Sequence, residues 1–249
     1  MKGKLLGLFL VSALILNGIA ILPTQAQLPD FTVTRVYWGT ASETIQAKPR
    51  SSNVPLNIVI QNTGSDSIIW IEATIHLDNT PFTSTTGKKE ATAGTPTGLL
   101  PGQSVTLTFW LNVDDDASLK SYRVKMDATA KTSKYLSGYS ISKTIEVPLL
   151  GEVRFSINSS PEVLYPGSNT VNITLKNIGE ASASDIRMSV TLPATLSILG
   201  EDNYWTFNQI PSLSSEKVQL KLHASQTSVG AGYSATVILT YVDAYGYIR

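Results

Sequence analysis

The chain has no cysteine, only two histidines among its 249 residues, and just 15% of Asp, Glu, Lys and Arg together. Without thiols there is no disulfide framework, no thiolate zinc site, no cysteine nucleophile and no iron–sulfur cluster. The 19 basic and 19 acidic side chains balance and are spread without blocks, which excludes the electrostatic footprint of a nucleic-acid binder. No Gly-x-Ser-x-Gly elbow, H-E-x-x-H helix or glycine-rich phosphate loop is present, so no cofactor is implied and no enzyme is expected. His76 and His223 stand at outward strand positions among polar neighbours, where a lone histidine is read as solvated. Asp114-Asp115-Asp116 is the one acidic cluster. Three consecutive carboxylates cannot all point at one calcium ion, so it reads as a solvated turn, and Asp243 reads as a turn-former.

Only one long apolar run exists, Leu5 to Leu22, and it follows Lys2 and Lys4. Pro23-Thr24-Gln25-Ala26 comes next, a helix break with small residues before a cleavage point. This pattern is that of a secretory signal peptide over residues 1–26, cut between Ala26 and Gln27. The alternative is a retained anchor, since a run of about 18 residues just reaches the spanning range. Either way the remainder is expected outside the cytoplasm, secreted or at the cell surface. A secreted chain without disulfides must be stabilised by its cores, which domains of about 100 residues can manage.

What is abundant is period-2 alternation after Pro29. Leu56, Ile58 and Ile60 alternate with Asn57, Val59 and Gln61, ending at Asn62-Thr63-Gly64. Val171, Ile173 and Leu175 alternate in the same way, ending at Asn177-Ile178-Gly179. Further on, Ile69, Ile71, Ala73, Ile75 and Leu77 match Ile186, Met188, Val190 and Leu192. Val105, Leu107, Phe109, Leu111 and Val113 match Val218, Leu220, Leu222 and Ala224. Tyr122 and Tyr233 open the next strand in each half and are candidates for a tyrosine corner. The expected fold is all-β: two tandem immunoglobulin-like antiparallel sandwiches over residues 30–149 and 150–249, meeting near Pro148-Leu149-Leu150-Gly151 with little hinge freedom.

Leu56–Gly64 and Val171–Gly179 resemble the opening of archaeal S-layer-like and cell-adhesion-related (CARDB-type) domains. Leu100-Pro101-Gly102 and Tyr241-Val242-Asp243-Ala244-Tyr245-Gly246 also look like a sandwich domain that accompanies carbohydrate-binding modules. The first half has no counterpart of the latter motif. The resemblance covers nearly all of residues 30–249, and its short motifs specify fold better than activity. It implies a non-enzymatic structural or adhesive envelope protein whose partners are other envelope proteins or further copies of itself. The alternatives are an ectodomain of an ABC-type export complex, with a membrane partner, and a carbohydrate-binding accessory module, with a glycan.

Candidate contact residues follow from these readings. Trp70 and Trp110 point outward but belong to opposite sheets, so they cannot form one sugar-binding platform. Trp205 lies in an aromatic cluster, Tyr204, Trp205 and Phe207, read mainly as core. Asn172-Ile173-Thr174 and Asn158-Ser159-Ser160 are N-glycosylation sequons, at Asn172 on an outward strand face and at Asn158 in a turn. Asn79 to Gly98 reads as a long polar loop, disordered or O-glycosylated, and as a partner-contacting protrusion. By internal comparison the second half lacks about ten residues of a closing strand. The expectation is a C-terminally truncated chain; the alternative is an open groove filled by a neighbour's strand.

Overall fold

A computed structural model describes residues 30–40, 42–134, 136–200, 203–226 and 232–249. The signal-like run and the Ala26/Gln27 junction lie outside the described residues. Among the described residues there is no α-helix, and no helix is long and apolar enough to cross a membrane. The described residues form an all-β antiparallel sandwich structure of fifteen strands in four sheets.

The first eight strands are β1 (Phe31–Trp38), β2 (Val54–Asn62), β3 (Ile68–His76), β4 (Phe82–Ser84), β5 (Glu90–Leu99), β6 (Ser104–Val113), β7 (Lys120–Thr132) and β8 (Tyr139–Leu149). They form sheets of order β1-β2-β6-β4 and β5-β3-β7-β8. The other seven are β9 (Phe155–Ser160), β10 (Gly167–Asn177), β11 (Ala183–Thr191), β12 (Leu196–Ile198), β13 (Tyr204–Ile210), β14 (Ser215–Ala224) and β15 (Thr236–Val242). Their sheets are β9-β10-β14-β12 and β13-β11-β15. Among the described residues, β9, β10, β14 and β12 repeat the order of β1, β2, β6 and β4, and β13, β11 and β15 that of β5, β3 and β7.

Two separate apolar clusters fill these sandwiches. The first draws on both of its sheets, with Leu56, Ile58 and Ile60 on β2 facing Ile71, Ile75, Val124 and Met126 on β3 and β7. The second is built alike from Val171, Ile173 and Leu175 on β10 and Ile186, Met188 and Val190 on β11. Alternation on strands that bury one face makes this packing inevitable, because only one register puts every aliphatic side chain inside. The Tyr122 hydroxyl donates to Ser118 O at 2.7 Å, clamping the turn before β7 from above. Tyr233 packs against the second cluster.

Three local expectations need correction. On β3 the buried residue is Ile68, and Ile69 is exposed, because the pairing register shifts between Ile68 and Trp70. A bulge adds one residue to the strand and flips the alternation beyond it. The stretch from Asn79 to Gly98 is not a protruding loop: it contains β4 and the edge strand β5, which pairs along β3 from His76↔Glu90 to Ile68↔Leu99. Its inward positions are the small Ala91 and Ala93, packed against the core, so no large aliphatic residues mark its period. Its Pro96 is tolerated because an edge strand has one unpaired side. Asn158 sits on β9 rather than in a turn, directly opposite Thr174.

Gly179, which ends the repeat's Asn-x-Gly turn in the second half, is required by close approach. A Cβ there would stand 2.2 Å from Glu152 O and 2.7 Å from Arg154 N, both backbone atoms. The turn therefore packs directly on the segment that enters the second sandwich, with Ile178 N donating to Arg154 O at 2.7 Å.

Candidate functional site at the joint between the sandwiches

A polar constellation linking distant parts of the chain lies where the two sandwiches meet. It is built by the hairpin after β15. Asp243 is buried, and its Oδ1 accepts the backbone N–H groups of Tyr245 and Tyr247, each at 2.9 Å. This closes the tight turn at Gly246, whose φ of 81° is the left-handed conformation that glycine adopts without strain. Asp243 Oδ2 accepts from Arg249 Nε at 2.8 Å.

That ion pair aims the Arg249 guanidinium at the first sandwich. Nη1 donates to Thr44 O at 2.7 Å and Nη2 to Thr44 Oγ1 at 3.2 Å. A planar, always-charged group with several donors is suited to such a multi-centre clasp. Tyr245 packs its ring against the first apolar cluster. Its hydroxyl donates to Ala47 O at 2.6 Å and accepts from Leu150 N at 2.8 Å, so one phenol ties together the hairpin, the first sandwich and the connecting segment. Burial pushes the Tyr245 phenol up to about 12.

Other contacts widen the joint. Gly151 N donates to Ala47 O at 3.2 Å, and Val153 N to Gln46 Oε1 at 2.8 Å. Lys48 and Glu152 form an ion pair across it. On the far side, Arg35 of β1 donates to the Tyr247 hydroxyl at 2.8 Å while lying 4.4 Å from the centre of the Tyr37 ring. The Trp38 indole N–H donates to Pro148 O, fixing the end of β8 to β1. This arrangement can transmit force and orientation between the two sandwiches. Sequence reasoning missed it: the Asp243–Gly246 spacing marks a hairpin, but nothing local tells that Arg249 reaches Thr44.

The other singled-out residues are dispersed. Trp70 is half-buried on β3, whereas Trp110 is 48% exposed on β6, in the opposite sheet. Asn158 and Asn172 are both exposed and share one outer face, since Asn158 lies opposite Thr174 and Asn172 opposite Ser160. Trp205 and Phe207 pack partly against the second core, but Tyr204 is exposed. Asp114, Asp115 and Asp116 are exposed in a turn, with Asp115 3.6 Å from Arg50. His223 is exposed.

His76 is not a lone solvated side chain. Its Nε2 lies 2.8 Å from Asp127 Oδ2, which also accepts from Lys125 Nζ at 2.8 Å, while Asp127 Oδ1 accepts from Ser142 Oγ at 2.6 Å. The Lys125 ammonium and the Ser142 hydroxyl hold the Asp127 carboxyl well below the usual carboxylate range. This is a cross-strand polar ladder over β3, β7 and β8. Among the described residues no group of three His, Asp or Glu side chains is placed to hold a metal ion.

No protein-family model matches the chain. It is similar to the uncharacterized protein MJ1561 of Methanocaldococcus jannaschii, 26% identical over 145 residues, which is 58% of this chain and 26% of that protein. It is similar also to MJ1506 of the same organism, 28% identical over 109 residues (41% of this chain, 25% of that one). The matched part spans about a quarter of the length of these curated relatives. Among solved structures, red sea bream transglutaminase gives a TM-score of 0.27 at 8% identity, over 88% of this chain and 29% of that one. The Pseudomonas aeruginosa CupB2 chaperone gives 0.26 at 11% identity, over 84% of this chain and 96% of that one. These structural likenesses are too slight to carry an argument.

Proposed function

We propose that the chain is a non-enzymatic, secreted or surface-held structural or adhesive module of a cell envelope, made of two tandem immunoglobulin-like sandwiches that act as one stiff unit. The carrying observation is the joint, where Arg249 clasps Thr44 and Tyr245 bridges Ala47 and Leu150. Such coupling between two cores suits a module that bears load or sets the spacing of a surface layer. The repeated strand order supports the immunoglobulin-like reading, with β1-β2-β6-β4 and β5-β3-β7-β8 corresponding to the two sheets of that sandwich. The N-terminal apolar run supports export. The carbohydrate-module alternative gains nothing from Trp70 and Trp110, which lie in opposite sheets.

The test has two arms. Protease applied to intact cells that make the protein should digest it; full protection together with cytosolic fractionation sinks the envelope reading. Because the chain has no cysteine, Thr106→Cys and Lys217→Cys place a spin label on each sandwich without side reactions. A single narrow distance distribution is expected, and a broad one rejects the stiff unit.

A further inference from the structure

The joint lies at the end of the first sandwich where β1 and β8 finish, and the chain enters that sandwich at the opposite end. There Thr63 N and Gly64 N each donate to Asp30 O at 3.1 Å, and Gly102 N donates to Asn62 O at 2.8 Å. The start of β1, the turn after β2 and the turn after β5 therefore sit together. Leu99, Ile68 and Thr132 form the last paired row of the neighbouring sheet, all three buried, and the β7–β8 hairpin turns beyond them.

Around this buried row apolar side chains meet solvent. Ile69 is 40% exposed, Leu100 52% and Leu136 67%. Half-buried Trp70 stands on the outer face between Pro96 and Lys131. Lys134 lies on the same rim, 2.7 Å from Asp66. Further from the end the face turns polar, with Glu72 opposite Thr129 and Thr74 opposite Asp127. The apolar residues thus cap one end of the sandwich and stop at a sharp polar boundary.

What joins the chain at this cap is the apolar run. Every residue from Leu5 to Pro29 is uncharged, and Asp30 is the first charge after Lys4. Along an extended chain, Leu22 and Asp30 can be no farther apart than roughly 26–29 Å. The cap therefore stays close to whatever holds the run. Lys2 and Lys4 before the run favour an inside N-terminus and outside sandwiches.

We propose that Leu5–Leu22 is retained as a membrane anchor and that the cap of the first sandwich rests on the lipid surface the run enters, with Ile69, Trp70, Leu100 and Leu136 at headgroup level. Tryptophan is enriched at that level, and a neighbouring lysine can bury its stem there while its ammonium reaches the headgroups. The inference deepens the surface-held reading and rests on it, naming the partner as lipid and the contact as this end.

The test uses the full chain, which has no cysteine of its own. Leu100→Cys and Leu136→Cys, at exposed positions, each take a nitroxide label, and Lys217→Cys on the second sandwich is the control. In vesicles of phosphatidylcholine and phosphatidylglycerol, labels at the first two positions should collide with dissolved oxygen, relative to a water-soluble nickel chelate, several-fold more than the control. Ile69→Glu, also at an exposed position, should lower that ratio at the Leu136→Cys label while the circular dichroism stays unchanged. Protein recovered from the membranes of cells that make it should keep residues 1–26, read by intact mass spectrometry. Water-like collision at both positions, a ratio indifferent to Ile69→Glu, or a mature chain starting at Gln27 each overturns the inference. Any of these in a chain that protease digests on intact cells defeats the lipid contact alone. Protection from protease with cytosolic fractionation defeats the envelope reading beneath it.

Discussion

Asn62 and Asn177 occupy the same place in the two sandwiches and make the same hydrogen bonds. Each is fully buried. The Asn62 amide donates to Asp66 O and Leu99 O, both at 2.9 Å, and its oxygen accepts from Gly64 N at 3.0 Å. The Asn177 amide donates to Ala181 O at 2.7 Å and Ile210 O at 3.1 Å, and its oxygen accepts from Gly179 N at 3.0 Å. One side chain thereby bonds three backbone groups in and around the turn, inside the protein. This is the physical content of the repeated Asn-x-Gly.

Truncating either asparagine removes its bonds to two buried carbonyls and a turn N–H. Each unsatisfied buried group costs about 1–3 kcal/mol, so Asn62→Ala and Asn177→Ala should each lose roughly 2–4 kcal/mol in urea unfolding. Asn→Asp at the same positions should be no better at neutral pH, because a carboxylate would face two carbonyl oxygens. A loss under about 0.5 kcal/mol at either site, the range of an ordinary surface change, contradicts the cage.

At the joint, Arg249→Ala removes the clasp on Thr44 and leaves the buried Asp243 carboxylate without its cation. A buried charge deprived of its partner is costly, and some of that cost should vanish when the charge goes too. Asp243→Asn added to Arg249→Ala should therefore recover part of the loss in thermal unfolding. The distance distribution between labels on the two sandwiches should broaden in both variants. Strict additivity of the two substitutions argues against direct coupling.

The aliphatic alternation of β2, β6, β7, β10 and β14 is legible in the sequence because large side chains mark most inward positions. It fades where physics uses smaller or irregular means. β5 faces the core with Ala91 and Ala93, which look no different from a polar loop. The bulge between Ile68 and Trp70 exchanges Ile69 for Ile68 inside, and no local residue type announces it. The joint is invisible for another reason: Arg249 and Thr44 are 205 positions apart, and their pairing depends on how two finished sandwiches meet.

The sequons give a direct readout of exposure. Asn158 and Asn172 lie on adjacent strands of one outer face, with neither side chain buried. Secreted from a host that glycosylates Asn-x-Ser/Thr, the chain should gain two glycan masses. Asn158→Gln and Asn172→Gln should each remove one, read by intact mass spectrometry. A variant that leaves the mass pattern unchanged removes that asparagine from the list of acceptors.

The Tyr245 phenol should make the joint alkali-sensitive. Its pKa rises from 10.0 to about 12 in the folded chain, chiefly through burial. Below pH 10 both the folded and unfolded phenols are protonated, and the contribution to stability is fully present. As pH rises from about 10 to about 12 the unfolded chain loses this proton first, so stability falls, by up to about 2–3 kcal/mol for a shift of that size. Burial also raises Tyr122 and Tyr241, so the total alkaline loss is not assigned to one residue. The difference between the native chain and Tyr245→Phe isolates it. At pH 8 the variant should be less stable by about 1–2 kcal/mol, for two lost hydrogen bonds. Its deficit should shrink steadily as the pH passes from 10 to 12, because phenylalanine has no proton to lose. Parallel stability curves for the two proteins across that window place Tyr245 in contact with solvent rather than in the joint.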